Sequence, residues 1–220
     1  MRAIVIGASG GIGSALAGQL AKQGAELALF SRREHGFDLT DESSIAQHLG
    51  GLSGTYDLVF VATGALELHG VAPEKSLKSL NAQALAAQFA LNATGPALVL
   101  KHALRLLPKD RPARFAALSA RVGSIGDNAL GGWYAYRAAK AALNQLIHTA
   151  AIEISRSHPQ SVVVSLHPGT VSTPLTAKYA GNHPTVSPEQ AAQNLLAVLA
   201  RLTPQDSGGF FDWQGKQIPW

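Results

Sequence analysis

The sequence predicts an α/β fold, a doubly wound and mostly parallel sheet in one domain spanning residues 1–220. Three observations carry that reading. Short apolar runs rich in Val, Ile, Leu and Phe alternate with longer amphipathic runs along the whole chain. A glycine-rich turn, Gly7 to Gly13, joins the first apolar run to the first amphipathic one. No internal repeat or linker interrupts the alternation. With 46% hydrophobic and 15% charged residues, the chain can bury a sizeable core.

The elements follow in order. Arg2–Ile6 reads as the first strand. Ser14–Gln23 reads as a helix stopped by Gly24, and Glu26–Phe30 as a second strand, which completes a βαβ unit. Phe37-Asp38-Leu39 is a candidate third strand, very short, and Asp41 a cap for a helix over Ser43–Leu49. Leu58–Ala62 is a buried-type strand running into Thr63-Gly64. Asn81–Leu107 is one long helical pattern with a kink expected at Gly95-Pro96. Phe115–Ser119 is the next strand, followed by a Gly-rich loop from Gly123 to Gly132. A helix with an apolar stripe of Leu143, Ile147, Ala150 and Ile154 comes next. Val162–Leu166 is a strand ending in His167-Pro168-Gly169, Pro188–Leu202 the last helix and Gly209–Asp212 the last strand.

Composition excludes several classes. Net charge is +4 with basic residues scattered, which gives no nucleic-acid footprint. The absence of Cys rules out a disulfide framework and a Cys-based zinc site. His69, His148 and His183 form no metal-ligand spacing with carboxylates, so no metal is expected. With no basic-plus-apolar leader and no apolar run of about 18 residues, a soluble, cytoplasmic protein without a membrane partner is expected.

The glycine turn carries the first functional signal. Glycines at 7, 10, 11 and 13 let the backbone approach a diphosphate closely, where the N–H groups and dipole of the following helix favour an anion. The spacing Gly7-x-x-Gly10-x-x-Gly13 fits a dinucleotide fingerprint of Rossmann type. At the end of the second strand stand Ser31-Arg32-Arg33, with no acid until Glu34. A guanidinium pair there suits a 2′-phosphate, so NADP is favoured over NAD.

Tyr136 and Lys140 are the second signal. Four residues apart in a helix, their side chains share a face. An ammonium beside a phenol favours phenolate, so Lys140 is expected to lower the Tyr136 pKa.

In this order, over nearly the whole chain, these residues resemble the short-chain dehydrogenase/reductase family in its compact single-domain branch. The matching pieces are Gly7-Ala8-Ser9-Gly10-Gly11-Ile12-Gly13, Asp38-Leu39, Ala62-Thr63-Gly64, Asn92, Ser119, Tyr136-x-x-x-Lys140 and Pro168-Gly169-Thr170-Val171-Ser172-Thr173. The tail from Gly209 to Trp220 and the stretch Ser119–Ile125 are similar to the subgroup that includes the Sniffer carbonyl reductase and the C-factor signalling protein. The resemblance implies a carbonyl/alcohol substrate, NADP(H) and a homodimer or homotetramer, whose interface would use the helices at 81–107 and 133–155. It implies that Tyr136 passes a proton to or from the substrate oxygen and that Lys140 holds the nicotinamide ribose. Asn92 would tie the long helix to a proton-relaying water. Asp38 and Leu39 would contact adenine, Gly64 would allow close passage of the backbone, and Thr173 would bond the nicotinamide amide. Ser9, Ile12, Ser31, Ala62, Thr63, Pro168, Gly169 and Val171 complete the implied cofactor site.

One position departs from the family pattern. Ala120 stands where its substrate-orienting Ser usually precedes x-x-Gly. Ser124, twelve residues before Tyr136, is slightly favoured as its substitute; Ser119 stays open, although adjacent strand residues point to opposite faces and it would need an irregular strand end. His167 reads as structural, and Tyr134 and Trp133 as pocket walls. The segment between Thr173 and Pro188, with Pro174, Gly181 and Pro184, is short for a lid, which fits broad acceptance of carbonyls. Two rivals remain: an NADP-binding signalling or sensing protein with little turnover, and a sugar-nucleotide epimerase or dehydratase, whose chains usually run longer.

Overall fold

A computed structural model describes residues 1–173, 176, 178–179 and 184–220. Six strands form one parallel sheet: β1 (Arg2–Ile6), β2 (Glu26–Phe30), β3 (Leu58–Val61), β4 (Ala113–Leu118), β5 (Ser161–His167) and β6 (Phe210–Asp212), in the order β2-β1-β3-β4-β5-β6. The chain reverses direction of build between β1 and β3. In a Rossmann-type sheet such a switch point opens a crevice beyond the carboxyl ends of the strands. The helices are α1 (Gly11–Lys22), α2 (Arg32–His35), α3 (Glu42–Gly50), α4 (Ala82–Phe89), α5 (Gly95–Ala103), α6 (Tyr134–Ile154) and α7 (Pro188–Arg201).

Side-chain alternation along the strands builds two cores. Ile4, Val59, Val61, Phe115, Ala117 and Val163 face one layer with Ile45 of α3, Val99 of α5 and Leu143 and Ile147 of α6. Val5, Phe60, Ala116, Leu118, Val164 and Leu166 face the other with Leu16 and Leu20 of α1 and Leu195 and Val198 of α7. Each fully buried Leu or Ile contributes roughly 1.5–3 kcal/mol, so both helix layers are fastened by their apolar stripes. As expected, the Asp41 side chain caps α3 by accepting from the Ser43 N–H at 2.9 Å.

Two sequence expectations need correction. Phe37-Asp38-Leu39 is not a strand. Phe37 and Leu39 are buried, but the Phe37 and Asp38 N–H groups bond Ser31 O and Ser44 Oγ rather than a neighbouring strand. The Ser31-Arg32-Arg33 stretch opens the one-turn helix α2, capped by Ser31. The long helical pattern also breaks earlier than Gly95-Pro96. Residues Ala90–Thr94 form a π-helical turn between α4 and α5, and a 3-10 turn, Leu104–Leu106, follows α5. Pro96 has no N–H to give the carbonyl four residues back, that of Asn92, and its ring crowds that carbonyl; widening the preceding turn relieves both. Gly95 is needed for another reason, since a Cβ there would stand 2.5 Å from Leu39 O.

Of the segment after Thr173, positions 174 and 181–183 lie outside the described residues, as do 175, 177 and 180. The expectation of a short lid, built on Pro174, Gly181 and Pro184, therefore falls largely there. Val171 and Val186 form a parallel bridge across it. Among the described residues, no helix is long and apolar enough to cross a membrane.

Candidate active site

The site begins where α6 crosses the end of β4. Lys140 is 2% exposed and donates from Nζ to Leu118 O at 2.8 Å. Tyr136, one turn earlier, is 9% exposed, with its ring centroid 5.8 Å from Lys140 Nζ. Its hydroxyl has no protein hydrogen-bond partner among the described residues and opens on a cleft. Burial opposes the expected tuning. Burial disfavours both charged forms: it pushes the Tyr136 phenol well above its usual range and Lys140 down to about 7. Tyr136 is thus a phenol, hence a proton donor, at neutral pH.

Asn92 sits in the π-turn, fully buried rather than on a helix surface. Its Nδ2 donates to Ala65 O at 3.0 Å and Gln88 Oε1 at 2.6 Å, and its Oδ1 accepts from Ala65 N at 3.2 Å. This clamps the broken helix to the loop that leaves β3. Gly64 lies between: a Cβ there would come within 3.0 Å of Asn92 Oδ1 and 3.3 Å of Lys140 Nζ. Asn92, Gly64 and Lys140 therefore meet around one point that only a glycine leaves open.

The cleft, about 870 Å³, lies beyond the carboxyl ends of the central strands. It brings together Ser9, Gly10, Gly11 and Ile12 from the glycine turn, and Ala62, Thr63 and Gly64 after β3. Tyr136, Lys140 and, after β5, Pro168, Gly169, Val171 and Thr173 also border it. Gly7 and Gly13 stand behind the turn and shape it. A Cβ on Gly7, at φ +87°, would lie 2.7 Å from Ala62 O, and one on Gly13 would lie 2.1 Å from Gly7 O. The turn can only be this tight with glycine at both positions.

Ser31, Arg32, Arg33, Asp38, Leu39, Asn92 and Ser124 do not border this cleft. Ser31 caps α2, with its Oγ accepting from Glu34 N at 3.3 Å. Arg33 lies 3.5 Å from Glu34 and its side chain is 81% exposed. Arg32 has no acidic partner among the described residues. Asp38 accepts from the Thr40 N–H and hydroxyl, bonds that hold its carboxyl below the usual range, with the Arg32 charge a smaller cause. Leu39 is buried against Gly95. Among the expected pocket walls, Trp133 borders the cleft and Tyr134 does not.

A dinucleotide fits these residues on two observations. The first-turn N–H groups of α1, without intrahelical acceptors, open at the glycine cradle. Thr63 Oγ1 is buried without a partner at the cleft wall.

The two serines differ sharply. The Ser119 N–H bonds Leu166 O at 2.8 Å, and the chain stays extended through Ala120, so no irregularity is required. By alternation from Phe115 and Ala117, Ser119 faces the α6 layer, towards Lys140. Its Oγ is buried without a partner, and the residue borders the cleft. Ser124 Oγ instead accepts from Asp127 N at 3.1 Å, closing a turn away from the cleft. His167, the last residue of β5, borders the cleft with Nδ1 unpartnered; burial, helped by the Arg121 charge, lowers it to about 4, so it is neutral at pH 7.

A family profile described as enoyl-(acyl carrier protein) reductase matches residues 7–209. The chain belongs to the short-chain dehydrogenase/reductase family. As a member it is an NAD(P)-dependent oxidoreductase. This short-chain dehydrogenase/reductase is 32% identical over 232 residues to 1-hydroxy-2-glutathionyl-2-methyl-3-butene dehydrogenase of Rhodococcus sp. (strain AD45), covering 99% of this chain and 98% of the relative. It is 36% identical over 137 residues to C-signal of Myxococcus xanthus, covering 62% and 78%. Its fold is that of the NADPH-bound carbonyl reductase from chicken fatty liver, at TM-score 0.86 and 21% identity over 100% of this chain and 94% of that one. Carbonyl reductase Sniffer of D. melanogaster is similar at TM-score 0.81 and 19% identity, covering 100% and 99%.

Sequence reasoning missed two residues that position this oxidoreductase's helix. Gln88 holds Asn92 and donates to Leu66 O at 2.9 Å; its spacing four residues before Asn92 was the available signal. Glu74 is 6% exposed and accepts the Ala135 N–H at 3.2 Å, capping α6 from a segment 61 residues away in sequence. No local pattern announces it.

Proposed function

We propose that this short-chain dehydrogenase/reductase interconverts a carbonyl compound and its alcohol with NADP(H), with Tyr136 as general acid and base. The observation that carries the reading is the placement of a buried, protonated Tyr136 and a buried Lys140 on the same cleft as the glycine cradle. The glycine turn and α1 N-terminus would hold the diphosphate, Thr63 and Gly64 the sugar side, and Pro168, Gly169, Val171 and Thr173 the nicotinamide end. When bound, the cofactor supplies or accepts a hydride. Tyr136 gives its proton to the carbonyl oxygen in reduction and takes it back in oxidation. Lys140, held by Leu118 O, is oriented for the ribose hydroxyls, and the Asn92 clamp keeps the broken helix in place beside it. Consumption of NADPH against a panel of aldehydes, ketones and quinones tests the reading; no turnover of any of them sinks it.

Ser119 is the proposed second donor to the substrate oxygen, in place of a hydroxyl at Ala120. Ser119→Ala should lower kcat by about a hundredfold, as loss of an oxyanion donor does. Ser124→Ala should leave kcat within about twofold while lowering Tm. The reverse pattern would assign the role to Ser124.

NADP is favoured over NAD because Arg32 follows β2 with no acid on its guanidinium. Arg32→Ala should weaken NADPH binding about tenfold and NADH binding hardly at all, the loss expected for one charge-assisted contact. Equal NADPH and NADH affinities in the parent protein would defeat the assignment. A cytoplasmic homodimer or tetramer is part of the same proposal, with Leu146 and Ile152 exposed on α6 in its support. Sedimentation of a monomer alone would contradict that part. The likeness to C-signal supports a second reading, an NADP-binding signalling protein; a signal that survives Tyr136→Phe unchanged would favour it.

A further inference from the structure

Arg137 follows Tyr136 on α6 and borders the same cleft. Its Nε donates to the carbonyls of Gly131 at 3.2 Å and Gly132 at 3.0 Å, and its Nη1 to Val122 O at 3.3 Å. These bonds fix the guanidinium against the Gly-rich loop and leave Nη2 without a partner among the described residues. No carboxylate lies within 4.0 Å of it. The acids in the neighbourhood are engaged: Asp127 by Arg121, Glu67 by Lys178 and Tyr179, and Glu74 by the Ala135 N–H. The undescribed positions carry no Asp or Glu.

A half-buried cation satisfied only by backbone dipoles is an unusual arrangement. Burial without a counter-ion holds this guanidinium below its ordinary range. A planar fork already immobilised by carbonyls loses little further freedom when a carboxylate meets its free edge. Arg121 borders the cleft as well, and Trp133 and Leu130 give it apolar walls.

Resting on the carbonyl–alcohol reading above, we propose that the substrate carries a carboxylate bound by Arg137, on an apolar body that places its carbonyl at Tyr136. In the reduction the C=O π bond breaks, its carbon takes a hydride from NADPH, which is oxidised to NADP⁺, and its oxygen takes the Tyr136 proton, which solvent restores; the carboxylate is untouched.

Para-formylbenzoate and its methyl ester present the same aldehyde with and without the charge. In the parent protein the acid should exceed the ester about tenfold or more in kcat/KM at low ionic strength, chiefly through KM, and the ratio should shrink as salt screens the contact. Calorimetry with para-(hydroxymethyl)benzoate and its methyl ester should show the same preference without turnover. Arg137→Met should bring the acid-to-ester ratio to about one, and Arg137→Lys should keep part of it, whereas mere loosening of the loop would lower both substrates together. A ratio near one in the parent protein, or an unchanged ratio in Arg137→Met, overturns the proposal. A variant that fails to fold leaves the decision to the parent protein's salt series and calorimetry. Should neither aldehyde be reduced while the alcohol acid still binds better than its ester, the carbonyl–alcohol reading fails and the anion site stands.

Discussion

Tyr136→Phe is expected to lower kcat by about a thousandfold with NADPH affinity preserved. The ring remains to fill its buried place against Trp133, at 6.5 Å between centroids, so the fold has little reason to change. What disappears is the hydroxyl proposed as the proton donor, which burial keeps in its neutral form. A positioned general acid is worth roughly 10²–10⁴ in rate. Steady-state kinetics beside a fluorescence titration with NADPH would separate chemistry from binding. Retention of more than a tenth of parental kcat would show that the proton comes from elsewhere.

Lys140→Met should abolish most turnover and, unusually, raise stability. Burial pushes the Lys140 ammonium down from an ordinary 10.5 to about 7. Between those values the unfolded chain binds a proton that the folded chain lacks, so the parent loses stability as pH falls from 10.5 to 7, and no further below that. Met removes the titration and fills similar volume, while Leu118 O loses its hydrogen bond. The net gain at pH 7 should be about 2 kcal/mol, or roughly 5 °C in Tm. The gain should shrink by about 1.4 kcal/mol per pH unit above 7, vanish near pH 9 and become a loss towards 10.5, where only the missing hydrogen bond counts. A variant less stable than the parent at neutral pH would mean that Lys140 is stabilised by something other than the contacts named here. Such a stability gain with loss of function is what replacing a strained site residue produces.

Local signals were legible because their physics is local. The glycine turn was readable from Gly7 to Gly13, since only glycine tolerates the approaches that fold it. Tyr136 and Lys140 were readable because helical spacing alone puts them on one face. The parallel sheet followed from alternating strand and helix patterns, although the break before Pro96 was placed a few residues late. Long-range features were not legible. The positions of the two serine hydroxyls follow from strand alternation at Ser119 and from the turn that Ser124 closes with Asp127, which spacing to Tyr136 does not encode. Glu74 reaches α6 from a segment distant in sequence, Leu39 is buried where it crosses over Gly95, and Phe37 packs on Phe30 and His48. The direction of the Tyr136 shift was missed because the sequence shows charges but not their desolvation.

The central claim is that hydride passes between a nicotinamide in this cleft and a carbonyl carbon set beside Tyr136. The most direct test is reduction of an aldehyde with NADPH deuterated at its transferable position, followed by mass spectrometry of the alcohol. The structure predicts deuterium on the carbinol carbon, at a rate that Tyr136→Phe reduces about a thousandfold. Cofactor that binds while the aldehyde stays unlabelled, or label that arrives equally fast in Tyr136→Phe, would contradict it.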